Sequence, residues 1–173
     1  ELGEVSRGLK ALAKELGWTG SRLEEIEIAC LFHDVGKIKI PDAILHKKGR
    51  LAAPEWEEMK KHSEYGAEIL SKAPSLSKFL PPVRHHHEWF DGSGYPDGLS
   101  GDEIPIEAAI ISLADAYDAM TSDRPYRKAL TQEQALETIR ESAGRQFHPG
   151  LIPVFIGVVE RHFLSPVLGR PEG

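Results

Sequence analysis

The sequence predicts an all-α domain. Apolar residues recur at three- and four-residue spacing along most of the chain, and several of those stretches open on capping or proline signals. No run alternates long enough to make a useful strand. A chain of 173 residues fits one domain and is long enough to bury a core.

Taken in order, Leu9, Leu12, Ala13 and Leu16 mark one face of an opening helix that stops at Gly17. Ser21 with Glu24 has the form of a capping box, and Ile26, Ala29, Cys30 and His33 follow at helical spacing. Gly36 is expected to end that helix in the left-handed conformation. Pro41 opens a short helical turn, and Pro54 opens another that runs into the stretch around His62. Residues 76–88 read as helix through the histidines. Asp91-Gly92-Ser93-Gly94-Tyr95-Pro96-Asp97-Gly98 is dense turn chemistry and reads as a loop. A long helix from Ile106 to Thr121 carries Ile106, Ile110, Leu113, Ala114 and Tyr117 on one stripe. Thr131 and Gln134 make a capping box for a helix that closes near Gly144. A last helix follows Pro149, bent or shortened at Pro153. The domain is expected to span residues 1–163, with 164–173 a disordered tail.

Composition excludes several classes. The formal net charge is −6, so the bulk balance does not attract a nucleic-acid polymer, and an anionic ligand needs a local cluster. The lone Cys30 excludes an internal disulfide and a cysteine-rich zinc site, and suits a reducing compartment. The longest apolar stretch, Ala108 to Ala114, is too short to span a bilayer, and no signal peptide is visible. A cytoplasmic domain is expected. The chain opens on Glu1-Leu2-Gly3 without a methionine, and the expectation is a piece of a larger protein, fused to an upstream sensor or receiver domain.

Histidine carries the chemistry. Of eight histidines, five lie in three short stretches: His33, His62, and the run His85-His86-His87. His33 and Asp34 end an otherwise apolar helix, where an unpartnered aspartate is costly to bury; together they offer nitrogen and oxygen donors to one borderline metal. Lys37, one turn later on the same side, suits a phosphate oxygen. His62 lies in a charged stretch and, alone, reads as a surface histidine. Three consecutive helical residues spread over about 200°, so two of His85, His86 and His87 can face one ion, not three. Asp115 sits on a largely apolar helix, where it is either satisfied by backbone or tyrosine or serves a metal.

The motifs resemble those of the HD-GYP domain family. His33-Asp34-Val35-Gly36-Lys37 has the form of its HDxGK signature, and His86-His87-Glu88-Trp89-Phe90-Asp91-Gly92-Ser93-Gly94-Tyr95-Pro96 that of HHExxDGxGYP. Asp115 to Arg127 is similar to the next block, and Gln146-Phe147 stands where a closing motif falls. The resemblance covers roughly residues 1–160.

It implies a single-domain helical bundle of the HD-domain type with a GYP loop, and a phosphodiesterase that linearises cyclic di-GMP, with further cleavage to GMP left open. It implies two divalent ions, three in some members, with iron or manganese favoured and zinc open. By position, His33, Asp34 and Asp115 hold the first ion, and Asp34 bridges to a second held by His62, His86 and His87. Asp34 and Lys37 are the catalytic candidates, and Lys37, Arg124, Arg127 and Tyr95 the substrate-binding ones. The GYP loop is also a contact surface, with a diguanylate cyclase domain as the implied partner. One departure stands out. The family places a further histidine on its first helix, where this chain has Glu1, a candidate carboxylate replacement. His148 stands where the family shows aspartate, and His46 and His162 match no ligand position. Two other readings stay open: a hydrolase of another nucleotide phosphate ester, and a binding module without turnover.

Overall fold

The structure is a computed structural model that describes residues 2–123 and 127–161. Glu1, Arg124, His162 and the tail expected to be disordered lie outside the described residues. Among those described, the chain is helical and no strand forms; Ala143 and Phe147 make an isolated bridge.

The first helix, α1 (Leu2–Glu15), puts Leu9, Leu12 and Ala13 fully into the core and ends at Gly17, whose φ of 81° only glycine adopts freely. Helix α2 (Ser21–Phe32) follows. Its expected capping box does not form: Gly20 is the N-cap residue, at φ 56°, so Ser21 is already helical and its side chain caps nothing. The turn between the two glycines shifts the helix start by one residue.

Gly36 is a second correction. It sits inside a short 3-10 helix, Val35–Lys39, and is not in the left-handed region; α2 has already ended at Phe32. Glycine is needed there for a different reason. A Cβ would collide with the His62 carbonyl and the Gly66 amide, so the 3-10 turn lies directly against the start of α5 (His62–Ser71). That approach brings His33 and Asp34 to His62.

Between them, α3 (Asp42–Leu45) starts after Pro41, and α4 (Ala53–Lys60) starts with Pro54 in its first turn. The expected helix over 76–88 is divided. A 3-10 segment, Pro74–Phe79, precedes α6 (Leu80–His85), because Pro81 and Pro82 lack an N–H and are tolerated only in a first turn. His86 is the C-cap of α6, and His87 lies in the turn beyond it. Helix α7 (Ile106–Thr121) matches the expected span. It buries Ala108, Ile110, Ile111 and Leu113, and packs against α1, α2, α6 and α8 (Gln132–Glu141). Thr131 caps α8 by accepting the Gln134 amide at 3.2 Å, and the Gln134 side chain accepts the Thr131 amide at 3.0 Å. In α9 (Ile152–Val159), Pro153 occupies the first turn and so opens the helix rather than bending it.

Two glycines give opposite expectations for one substitution. Gly36→Ala overpacks the contact with His62 and should cost about 1–3 kcal/mol of unfolding free energy. Gly8→Ala, inside α1 with nothing within 4 Å of its Cβ, should stabilise by about 0.5–1 kcal/mol. Chemical denaturation measures both; equal effects at the two positions would refute the packing assigned to Gly36.

Candidate metal centre

Three histidines stand at helix ends, and each uses the same anchor. His33 Nδ1 lies 2.5 Å from the Cys30 carbonyl, His62 Nδ1 2.8 Å from that of Met59, and His86 Nδ1 2.7 Å from that of Val83. Each acceptor belongs to the last turn of α2, α4 or α6, and the Cys30 carbonyl also takes the His33 backbone amide at 3.4 Å. A carbonyl can only accept, so Nδ1 carries the proton and donates. Nε2 of each ring is thereby aimed away from its own helix, and on His62 and His86 its lone pair is available.

Those Nε2 atoms converge. His62 Nε2 is 3.4 Å from His86 Nε2 and 3.2 Å from His87 Nε2, and the three rings meet edge-on or tilted. With Nδ1 protonated on His62 and His86, no proton lies between their Nε2 atoms. Facing lone pairs at that distance call for a cation, and the donor atoms of the three lie within 4.8 Å of one another.

Carboxylates complete the cluster. Asp34 spans it: Oδ1 is 3.5 Å from His62 Nε2, and Oδ2 is 3.4 Å from His33 Nε2. Asp115, from the middle of α7, places Oδ1 3.8 Å from the same His33 nitrogen. His33, Asp34, His62, His86, His87 and Asp115 are therefore brought to one place from four parts of the chain. Lys37 Nζ pairs with Asp34 Oδ2 at 2.6 Å. His62 and His86 form a buried floor, whereas Asp34, Asp115 and Lys37 are each about a third or more exposed, so one side of the cluster is open to solvent.

Burial sets the charges. His86 is held far below the ordinary imidazole value by burial first, then by the neighbouring histidines, and burial also brings His87 down to about 3. His62 is lowered too, again mainly by burial. His33 goes the other way. Burial pushes it down, but hydrogen bonds to Asp34 and the Cys30 carbonyl outweigh that and raise it to about 11. Burial would raise Asp34, but His33 and Lys37 hold its carboxyl well below the usual range. At neutral pH the site offers three neutral imidazoles and an ionised carboxylate, the protonation states that metal ligation requires.

The GYP segment folds back on the cluster. The Tyr95 amide donates to the His87 carbonyl at 3.1 Å, and the Tyr95 ring stacks on His87 with centroids 4.9 Å apart. Burial pushes the Tyr95 phenol up, and Asp34 and Asp115 add to this. Glu88, for which the sequence pattern suggests no role, holds the loop. It is buried, and its two oxygens accept the Asp97 amide at 2.7 Å and the Leu99 amide at 3.2 Å. Arg84 clasps Asp97 through two 2.8 Å bonds. His85 faces this network and not the cluster, with Nδ1 3.4 Å from Asp97 and 3.7 Å from Glu88. Gly94 lies so close to the Glu88–Trp89 backbone that a Cβ would collide with it.

One predicted site residue, Arg127, lies elsewhere, and His148, which matches no ligand position, stands apart from the cluster. Arg127 is exposed and donates to the Ala119 carbonyl in the last turn of α7. His148 accepts the Gly150 amide at 3.0 Å and stands 3.6 Å from Asp102. Lys60, which the sequence does not single out, places Nζ 5.8 Å from the Tyr95 ring centre.

The sequence matches the family described as HD domain over residues 3–151. The chain belongs to the HD domain family. Its relatives mark it as an HD-GYP domain. It is 44% identical over 147 residues to "3'3'-cGAMP-specific phosphodiesterase 2" of Vibrio cholerae, covering 84% of this chain and 28% of that protein. It is 42% identical over 159 residues to "Cyclic di-GMP phosphodiesterase response regulator RpfG" of Xanthomonas campestris, covering 90% of this chain and 42% of that one. The HD-GYP domain thus spans less than half the length of either relative. In fold it is similar to Bd1817, an HDG"Y"P protein of Bdellovibrio bacteriovorus, with a TM-score of 0.72 at 20% identity over 91% of this chain and 50% of that one.

The histidine floor predicts an acid-sensitive fold. Without metal, His62, His86 and His87 take protons in the unfolded chain below its ordinary value of 6.5 but resist them in the fold. Their contribution is present above 6.5 and is lost as pH falls toward the depressed native values. His33 has the opposite sign, but its contribution is complete below 6.5 and fades only as pH rises toward about 11. Urea denaturation of metal-free protein should show stability falling from pH 6.5 to about 4.5, by up to about 1.4 kcal/mol per pH unit for each proton. A flat profile would contradict the buried neutral floor.

Proposed function

We propose that this HD-GYP domain is a metal-dependent phosphodiesterase that hydrolyses cyclic di-GMP to linear diguanylate, with GMP as a further product. The observation that carries the reading is the convergence of imidazole Nε2 atoms on Asp34 at a face open to solvent. His33, Asp34 and Asp115 would hold one divalent ion. His62, His86 and His87 would hold another, with Asp34 shared between them because its two oxygens face the two halves. Nitrogen and oxygen donors without thiolate favour iron or manganese. When bound, such ions supply Lewis acidity to a phosphodiester and make water more acidic.

The protein's own groups do the rest. Asp34 orients both halves of the cluster, and the His62–His86 floor keeps bulk water from its buried side. Lys37, at the rim, meets a phosphate oxygen once Asp34 is engaged elsewhere, and Arg124 and Arg127 are the further cationic candidates on the segment after α7. Tyr95 walls the site and fixes the His87 ring by stacking. Among the described residues no helix is long and apolar enough to cross a membrane, in keeping with the cytoplasmic location we assign. The GYP loop, exposed in part, is the surface we assign to a diguanylate cyclase partner.

A second substrate has a specific observation behind it: the relative at 44% identity is described as specific for 3'3'-cGAMP. Manganese- or iron-loaded protein assayed by chromatography separates the outcomes. Asp34→Asn and His62→Ala should lose bound metal and at least about a hundredfold in turnover. Lys37→Ala should keep its metal and raise KM about tenfold. Metal-loaded protein that binds cyclic di-GMP without cleaving it would refute the proposal and leave a binding module.

A further inference from the structure

The last turn of α4 supplies more than an anchor for the metal centre. The Met59 carbonyl takes His62 Nδ1 at 2.8 Å, and the carbonyl of the next residue, Lys60, accepts the buried Ser63 hydroxyl at 3.2 Å. The Lys60 backbone is therefore fixed to the same helix start that carries His62. From there the side chain reaches the GYP loop, with Nζ 5.8 Å from the centre of the Tyr95 ring. That ring stacks on His87 with centroids 4.9 Å apart, so a single aromatic ring relates the ammonium to the histidine cluster.

The other cations around the cluster are more firmly held. Lys37 Nζ lies 2.6 Å from Asp34 Oδ2, directly on the cluster, and Arg84 is clasped by both Asp97 oxygens. Lys60 pairs at 2.8 Å with Glu57, three residues back on α4, whose side chain is 65% exposed. A surface pair of that kind is worth about 0–1 kcal/mol, so a phosphate can take the place of Glu57. A cyclic dinucleotide brings two phosphates, held apart by its closed ring. With one of them at the metal centre beside Lys37, the other stands away from the cluster. The Tyr95 ring sets Lys60 back from the cluster in the same way. We propose that Lys60 binds the second phosphate of the cyclic dinucleotide, the one not being cleaved, with Glu57 as the internal competitor for it. The assignment rests on the phosphodiesterase reading for its substrate class. It makes Lys60 a residue that tells a two-phosphate ring from a one-phosphate strand.

The test compares cyclic di-GMP with linear GpG, which keeps both bases and has one phosphate, used as a competitive inhibitor. The metal-loaded full chain, Lys60→Met, Lys60→Arg and Glu57→Gln are assayed, with metal content and melting temperature recorded for each. Lys60→Met should raise KM for cyclic di-GMP about tenfold, with the inhibition constant of GpG changed less than about twofold. Lys60→Arg, which keeps the charge, should retain most of the discrimination. Glu57→Gln, which releases Lys60, should lower KM for cyclic di-GMP about two- to fivefold. An unchanged KM in Lys60→Met, or equal weakening of both ligands, would overturn the proposal, because a lysine that only supports Tyr95 does not distinguish them. Equal losses in Lys60→Met and Lys60→Arg would overturn it as well. If no diester is cleaved, the activity reading fails separately, and calorimetric titration with cyclic di-GMP and GpG still decides. Cyclic di-GMP affinity that falls about tenfold in Lys60→Met and rises in Glu57→Gln supports the assignment. Equal affinity in the three proteins, or no binding by the unmutated one, overturns it.

Discussion

The site depends on one repeated interaction, an imidazole Nδ1–H donated to a carbonyl three residues back at a helix end. His33, His62 and His86 all make it. Near a helix terminus a carbonyl has room for a side-chain donor, and a histidine placed there donates to it while its other nitrogen is pointed outward. The bond settles the tautomer and restricts the ring, which is the role usually played by the outer partners of a metal-binding histidine. Here the backbone supplies those partners, so the geometry of the cluster follows from where three helices stop.

Bringing the helix ends together is the task of close backbone packing. The 3-10 turn after Asp34 lies against the first turn of α5, where only glycine fits at position 36, and this sets His33 and Asp34 beside His62. The buried Glu88 ties the GYP loop to the turn that carries His86 and His87, and Tyr95 completes that wall by stacking on His87. Charge follows from burial and pairing: His62, His86 and His87 stay neutral, His33 is held charged by Asp34, and the ionised Asp34 lies with Lys37 toward water. The centre therefore has a buried, donor-rich floor and one face open to solvent.

Much of this was legible in the sequence, where the physics is local. The apolar stripe of α7 and the Thr131–Gln134 capping box predict their elements closely, because periodicity and capping are short-range effects. The clustering of histidine pointed to a shared site, and the limit on three consecutive residues foreshadowed the outward turn of His85. What escaped is tertiary. Gly36 reads as a helix stop, and only the His62 backbone opposite it reveals a packing role. Ser21 carries a capping signature that the Gly17–Gly20 turn overrides, and Pro153, expected to bend or shorten its helix, stands in the first turn.

Anomalous X-ray diffraction from crystals grown with manganese tests the central claim most directly. One peak is expected within about 2.0–2.3 Å of Nε2 of His62, His86 and His87. A second should lie about 3.5–4 Å from it, on the His33 and Asp115 side of Asp34. The structure also holds a rival group of possible donors at His85, Glu88 and Asp97. Metal found there, or a His62–His86–His87 cluster that stays empty at saturating manganese, would contradict the account.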